Sequence, residues 1–181
     1  MTEAKLRDEA LADLEHEVLE AAVALGHALR ARGWTIACAE SCTGGMVCRA
    51  LTEIGGSSDW FERGFVTYSN AAKSDLLGVS ADTLKAHGAV SEQAAGEMAE
   101  GALARSRAQL ALSITGIAGP GGAVPGKPVG TVCFGWSALD VETRTETVQF
   151  SGDRGTVRAR AALHALRRAR ERLAEIGASA A

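Results

Sequence analysis

Six residues, Glu40-Ser41-Cys42-Thr43-Gly44-Gly45, join a short apolar run to a segment of helical character. A serine on such a strand-to-helix turn presents its hydroxyl beside backbone N–H groups that lack a helical acceptor, the usual display of a serine nucleophile. The amides of Thr43, Gly44 and Gly45 are then within reach of a developing oxyanion, and the glycines let a substrate approach the main chain. A plain N-cap is the alternative role for Ser41. The glycines are not followed by Gly-Lys-Ser/Thr, so this is not a phosphate-binding P-loop.

A nucleophilic serine needs a base. The four histidines, His16, His27, His87 and His164, are scattered, which directs attention to Lys73 in Tyr68-Ser69-Asn70-Ala71-Ala72-Lys73. With Asn70 as the expected cap, Lys73 lies in the first turn of a helix, where the dipole disfavours an ammonium; burial would disfavour it further. A neutral Lys73 can take the proton of Ser41, and Tyr68, the only tyrosine, can relay or orient it. The competing reading is a solvated surface lysine.

Three more groups have chemical potential. Thr115 ends an apolar run ahead of a segment, 116–130, that contains all three prolines, and Gly116 and Gly119 would admit a ligand there. A strand-end threonine bonding its own backbone fits Thr115 equally well. Arg154 and Arg158 stand at i, i+4 near the start of the last helix, a geometry suited to phosphate and equally common on a solvated face. The cysteines, Cys38, Cys42, Cys48 and Cys133, have no C-x-x-C spacing and read as small buried groups in a reducing compartment, so a metal site is not expected.

The elements that must position these residues follow from periodicity. Leu11, Leu14, Val18, Ala21, Leu25 and Ala28 mark a helix stripe ending at Gly33. Residues 35–39 read as a buried strand, 45–54 as a helix, 61–68 as a second strand, and 70–77 as a helix. Ser80 and Ser91 cap two further helices, the first closed by Gly88 and the second running towards Arg107. Residues 110–115 form a buried strand, 131–138 and 141–150 a hairpin, and 154–176 a closing helix capped by Ser151 or Asp153. Strands interleaved with helices, then a late hairpin, predict a three-layer α/β/α sandwich with a mixed central sheet. In such sheets sites gather at the carboxyl ends of parallel strands, where Ser41 and Thr115 fall.

Length and composition bound the function. A chain of 181 residues, 46% hydrophobic and 23% charged, is expected to fold as one domain over 1–181. With 19 Lys and Arg against 22 Asp and Glu the net charge is −3, and aromatics make up 4%, which disfavours a nucleic-acid partner. No apolar run approaches the roughly 18 residues of a membrane span, and the N-terminus lacks a signal-peptide pattern. A soluble, cytoplasmic protein is expected, with no membrane partner and with a homodimer favoured.

Taken together, several ordered blocks resemble the C-terminal domain of the competence/damage-inducible protein CinA and its stand-alone relatives, the nicotinamide-nucleotide amidohydrolases. They are 39–45, Gly64 to Lys73 with 76–79, 88–92, 115–122, 127–132 and Gly152-Asp153-Arg154, all within a motif-bearing region of 34–160. The resemblance implies hydrolysis of the carboxamide of nicotinamide mononucleotide, a small pyridine nucleotide, to nicotinate mononucleotide and ammonia, with no metal and no cofactor. It implies Ser41 as nucleophile, Lys73 as base, Tyr68 as proton-handling partner, and Thr115 with its loop as substrate lining. Glu40 can meet the pyridinium or serve only as a strand end, and Asn70 is expected to border the substrate. The alternatives are a non-catalytic pyridine-nucleotide-binding or regulatory module, or an amidase for another small amide. The chain is too short for the extra N-terminal domain of the larger CinA proteins.

Overall fold

A computed structural model describes residues 2–179. Its first helix, α1 (Glu3–Arg32), is capped by Thr2 and closed by Gly33, whose left-handed φ of 66° suits a residue without a side chain. The stripe it buries is Val18, Ala22, Leu25 and Leu29, while Ala21 and Ala28 are only half-buried. The expected stripe was one residue off at two turns, because packing against two other helices decides which of two adjacent apolar residues goes inward.

Strand β1 (Ile36–Glu40) is buried throughout and leads through the Ser41 turn into α2 (Met46–Thr52). After a 3-10 turn at Ser57–Asp59 come β2 (Phe61–Val66) and α3 (Asn70–Leu77). Next are α4 (Ala81–His87), α5 (Glu92–Ala104) and β3 (Leu110–Gly116). The hairpin β4 (Thr131–Ala138) and β5 (Val141–Gln149) precedes α6 (Arg154–Ser179). Expected and observed elements agree in type and order, and their ends move by a few residues. One such shift corrects a site residue: the cap of α3 is Ser69, whose hydroxyl accepts the Ala72 N–H at 3.0 Å, and Asn70 is the exposed first residue of the helix. Ser69 and Asn70 both cap well, so sequence alone does not separate them.

The sheet order is β2-β1-β3-β4-β5, with β2, β1 and β3 parallel and the β4–β5 hairpin antiparallel to β3. On one face Ile36, Cys38, Leu112, Ile114, Phe134 and Trp136 pack with residues of α1, α2 and α6. On the other, Ala37, Ala39 and Ala111 pack with Leu77 of α3 and Met98 and Ala102 of α5. This second face is built from small residues, and α5 comes close: the Ser113 hydroxyl donates to the Ala95 carbonyl, and a Cβ on Gly135 would lie 2.5 Å from the same oxygen. The result is a three-layer α/β/α sandwich with a mixed sheet.

Candidate active site

Because successive strand side chains alternate, Ile36, Cys38 and Glu40 turn to the α2/α6 face and Ala37 and Ala39 to the α3/α5 face. Glu40, fully buried, accordingly reaches the start of α2, where it accepts the N–H groups of Gly45 (3.0 Å), Val47 (3.2 Å) and Cys48 (2.8 Å). Ser41, one position on, meets α3: Lys73 Nζ lies 3.0 Å from Ser41 Oγ. Ser41 is 7% exposed and Lys73 1%. Lys73 shares the inward face of α3 with Leu77, at i, i+4, so its stem is packed and its amine is delivered to the end of β1. A second bond runs from Nζ to the Thr67 carbonyl at 2.8 Å, and Thr67 is set beside β1 by its own N–H, which donates to the Glu40 carbonyl. Burial holds the Lys73 amine below the ordinary lysine value. Neighbouring Cys42, buried and pushed up to about 12 by desolvation, stays a thiol near neutral pH and offers no competing thiolate.

The turn itself corrects part of the expectation. Gly44 N–H donates to the Ser41 carbonyl at 3.1 Å and Gly45 N–H to Glu40, so these two amides are engaged within the chain. Among the described residues the N–H groups of Cys42 and Thr43 donate to no other residue, and the Cys42 N–H lies against its own thiol. The Glu40 carboxylate is engaged with the start of α2 and fixes the shape of the turn that carries Ser41. Arg158 also turns inward, donating from Nε to the Cys42 carbonyl (3.1 Å) and from Nη2 to the Thr43 carbonyl (2.7 Å), and so is not an open phosphate ligand.

Tyr68 stands outside the dyad. It is 62% exposed, and its hydroxyl accepts from Arg154 Nη2 at 3.1 Å; among the described residues no hydrogen bond joins it to Ser41 or Lys73. The place beside Lys73 is taken by the Thr67 carbonyl, which accepts from Nζ and which no motif in the sequence singled out. Thr115 is buried, and its hydroxyl donates to the Ala89 carbonyl at 2.8 Å, tying the end of β3 to the loop before α5. Gly116 is required by the chain, since a Cβ there would lie 2.8 Å from the Thr131 carbonyl oxygen, and Gly119 makes room for Arg154, whose Cδ and Nη1 would each be 3.3 Å from an added Cβ. Arg154, Tyr68 and Gly119 thus form one group at the rim, and Ser41, Lys73 and Thr67 another in the interior. Beside the inner group the hydroxyls of Thr43 and Thr67 are buried without a hydrogen-bond partner.

Among the described residues no three or more His, Cys, Asp or Glu side chains are grouped to hold a metal ion, and no helix is long and apolar enough to cross a membrane. The inner group sets a desolvated amine within hydrogen-bonding distance of a hydroxyl, an arrangement suited to proton transfer between them.

Comparison with known proteins gives the same direction. The chain is 55% identical over 155 residues to a nicotinamide-nucleotide amidohydrolase PncC of Enterobacter agglomerans, covering 86% of this chain and 94% of that protein. It is 53% identical over 152 residues to the Escherichia coli protein of the same name, covering 84% and 92%. A crystal structure described as competence damage-inducible protein A from Klebsiella pneumoniae superposes with a TM-score of 0.83 at 41% identity, covering 87% of this chain and 97% of that one. The family model described as CinA C-terminal domain matches residues 18–173, so the match takes in the second half of α1 and most of α6, beyond the blocks that carried the resemblance. The chain belongs to the CinA C-terminal domain family.

Proposed function

We propose that the chain hydrolyses the carboxamide of nicotinamide mononucleotide to nicotinate mononucleotide and ammonia, with Ser41 as nucleophile and Lys73 as its base. The observation that carries this reading is the 3.0 Å approach of a buried lysine amine to a buried serine hydroxyl, in a chain whose relatives are named for amide hydrolysis on nicotinamide nucleotides. Lys73 Nζ donates to both Ser41 Oγ and the Thr67 carbonyl; once the amine loses its proton, the bond to Thr67 can persist while the lone pair faces the Ser41 hydroxyl.

In the first half-reaction the Ser41 O–H bond breaks, its proton moves to Lys73 Nζ, and Oγ bonds to the carboxamide carbon. The carbonyl oxygen becomes an oxyanion in reach of the unengaged amides of the turn. Lys73 returns the proton to the leaving nitrogen, the C–N bond breaks, and ammonia departs. In the second half water attacks the acyl group, Lys73 takes a proton from that water and passes it to Ser41 Oγ as the ester bond breaks. Two moderate barriers replace one large one.

At the rim, Arg154 with Tyr68 offers a cation and a phenol to the nucleotide part of the substrate, and Asn70 is close by in sequence on the exposed start of α3. Purified protein incubated with nicotinamide mononucleotide is expected to release one ammonia per nicotinate mononucleotide formed. Ser41→Ala is expected to lower the rate by roughly 10⁴-fold or more. Turnover retained in Ser41→Ala would remove the serine from the mechanism, and binding of the nucleotide without any ammonia would favour a regulatory module.

A further inference from the structure

We infer that Arg158 is a positioning residue: by holding the Cys42 and Thr43 carbonyls it aims the Thr43 N–H at the oxyanion formed on Ser41. The inference rests on the serine-nucleophile reading above and extends it to a residue 115 positions away from Thr43 in sequence.

Peptide planarity decides where the N–H groups of this turn point. Four consecutive amides follow Ser41, and two are engaged, Gly44 with the Ser41 carbonyl and Gly45 with the Glu40 carboxylate. This leaves the Cys42 and Thr43 N–H groups. The Thr43 N–H belongs to the same peptide unit as the Cys42 carbonyl. Among the described residues there are no cis peptide bonds, so carbonyl and N–H in that unit point in opposite directions. Arg158 Nε takes the Cys42 carbonyl from the α6 side. The Thr43 N–H, on a residue with no exposed surface, is thereby directed away from α6 and into the interior on the side where Ser41 meets Lys73.

The second bond, Arg158 Nη2 to the Thr43 carbonyl, fixes the next plane, whose N–H is the one that closes the turn onto Ser41. A planar guanidinium can hold two carbonyls in one geometry, which an ammonium cannot. The guanidinium charge beside the Cys42 oxygen also polarises that peptide and strengthens its N–H as a donor. On the opposite flank Glu40 ties down Gly45, Val47 and Cys48, so the turn is held from both sides before any substrate arrives.

The test uses the rate at which a fluorophosphonate probe labels Ser41, read by mass spectrometry, because attack on phosphorus with loss of fluoride builds negative charge on the phosphoryl oxygen in the transition state and needs no pyridine nucleotide. Ser41→Ala provides the blank. Arg158→Ala, checked for folding by circular dichroism and thermal denaturation, is expected to label about tenfold to a hundredfold more slowly. The pH midpoint of labelling, which reports Lys73, is expected to stay where it is in wild type. A wild-type labelling rate in folded Arg158→Ala overturns the inference, and so does a loss explained by a shifted midpoint, since Arg158 would then act through Lys73. Should Arg158→Ala not fold, Arg158→Lys replaces it: an intermediate rate supports the two-carbonyl hold, and a full rate overturns it. A wild-type protein that labels at Ser41 but releases no ammonia from nicotinamide mononucleotide refutes the substrate, not the role of Arg158. No labelling of wild-type Ser41 refutes the nucleophile and this role with it.

Discussion

Lys73 is an amine placed where water cannot solvate its charged form, and that placement governs two pH dependences. Catalysis by the proposed route needs the neutral amine, so the rate is expected to rise with pH as Lys73 loses its proton, with a midpoint below the ordinary lysine value of 10.5. A pH–rate profile checks this, and a flat profile would count against Lys73 as base. Stability follows the same group. The unfolded chain holds the Lys73 proton up to its ordinary pKa while the folded chain releases it earlier, so between the two values the unfolded state binds more protons and stability rises with pH. Compared with Lys73→Met, the wild-type Tm is therefore expected to gain as pH rises toward 10.5, the gain vanishing as pH falls below the folded value. Glu40 supplies a third expectation. It satisfies three backbone donors in the interior, and Glu40→Ala, which strands them, is expected to lower stability by on the order of 3 kcal/mol in denaturant titration. At this scale the serine and the lysine were legible, because a strand-to-helix turn and a helix start each have a local signature. The inward aim of Glu40 and Arg158 was not, since bonding to backbone leaves no mark in the identities of the partners.

The elements place these residues by close approach as much as by apolar burial. Helix α5 passes α3 at Gly101, where a Cβ would lie 2.0 Å from the Leu77 carbonyl oxygen, and it passes β4 at Gly135. Both contacts are with backbone, which cannot swing aside. Gly101→Ala is expected to cost about 1–3 kcal/mol and, by displacing α3, to lower kcat along with Tm. An unchanged Tm would show that α3 yields without strain. The type and order of the elements could be read from apolar spacing and caps, as at Ser80, Ser91 and Gly33. Element ends could not, as Ser69 and Asn70 illustrate. Nor did spacing reveal that Gly116 serves the approach of β4 and that Thr115 ties down the Ala89 carbonyl, because both depend on strands and loops brought together only by the fold.

Across the whole molecule the two helical layers have different duties. The α3/α5 face delivers Lys73, the proposed base, and the α2/α6 face holds the turn that carries Ser41, the proposed nucleophile. The first part of α1 serves neither: residues 5–10 are all exposed, and the family match begins only at residue 18. A protein lacking residues 1–10 is expected to keep its ammonia-releasing rate within about twofold and its Tm within about 4 °C, the shift that roughly 1 kcal/mol would produce in a domain of this size. A larger loss would assign those turns a part in the fold. The strict alternation of β1 carries a further implication. Glu40 and Ser41 are neighbours that serve opposite layers, so sliding this strand by one place would exchange an anion and an alcohol. The carboxylate would then face the lysine as an ion pair, the hydroxyl would sit under α2, and a well-packed protein would have no chemistry. Parity along five residues is thus what distinguishes an enzyme from an inert look-alike of the same composition.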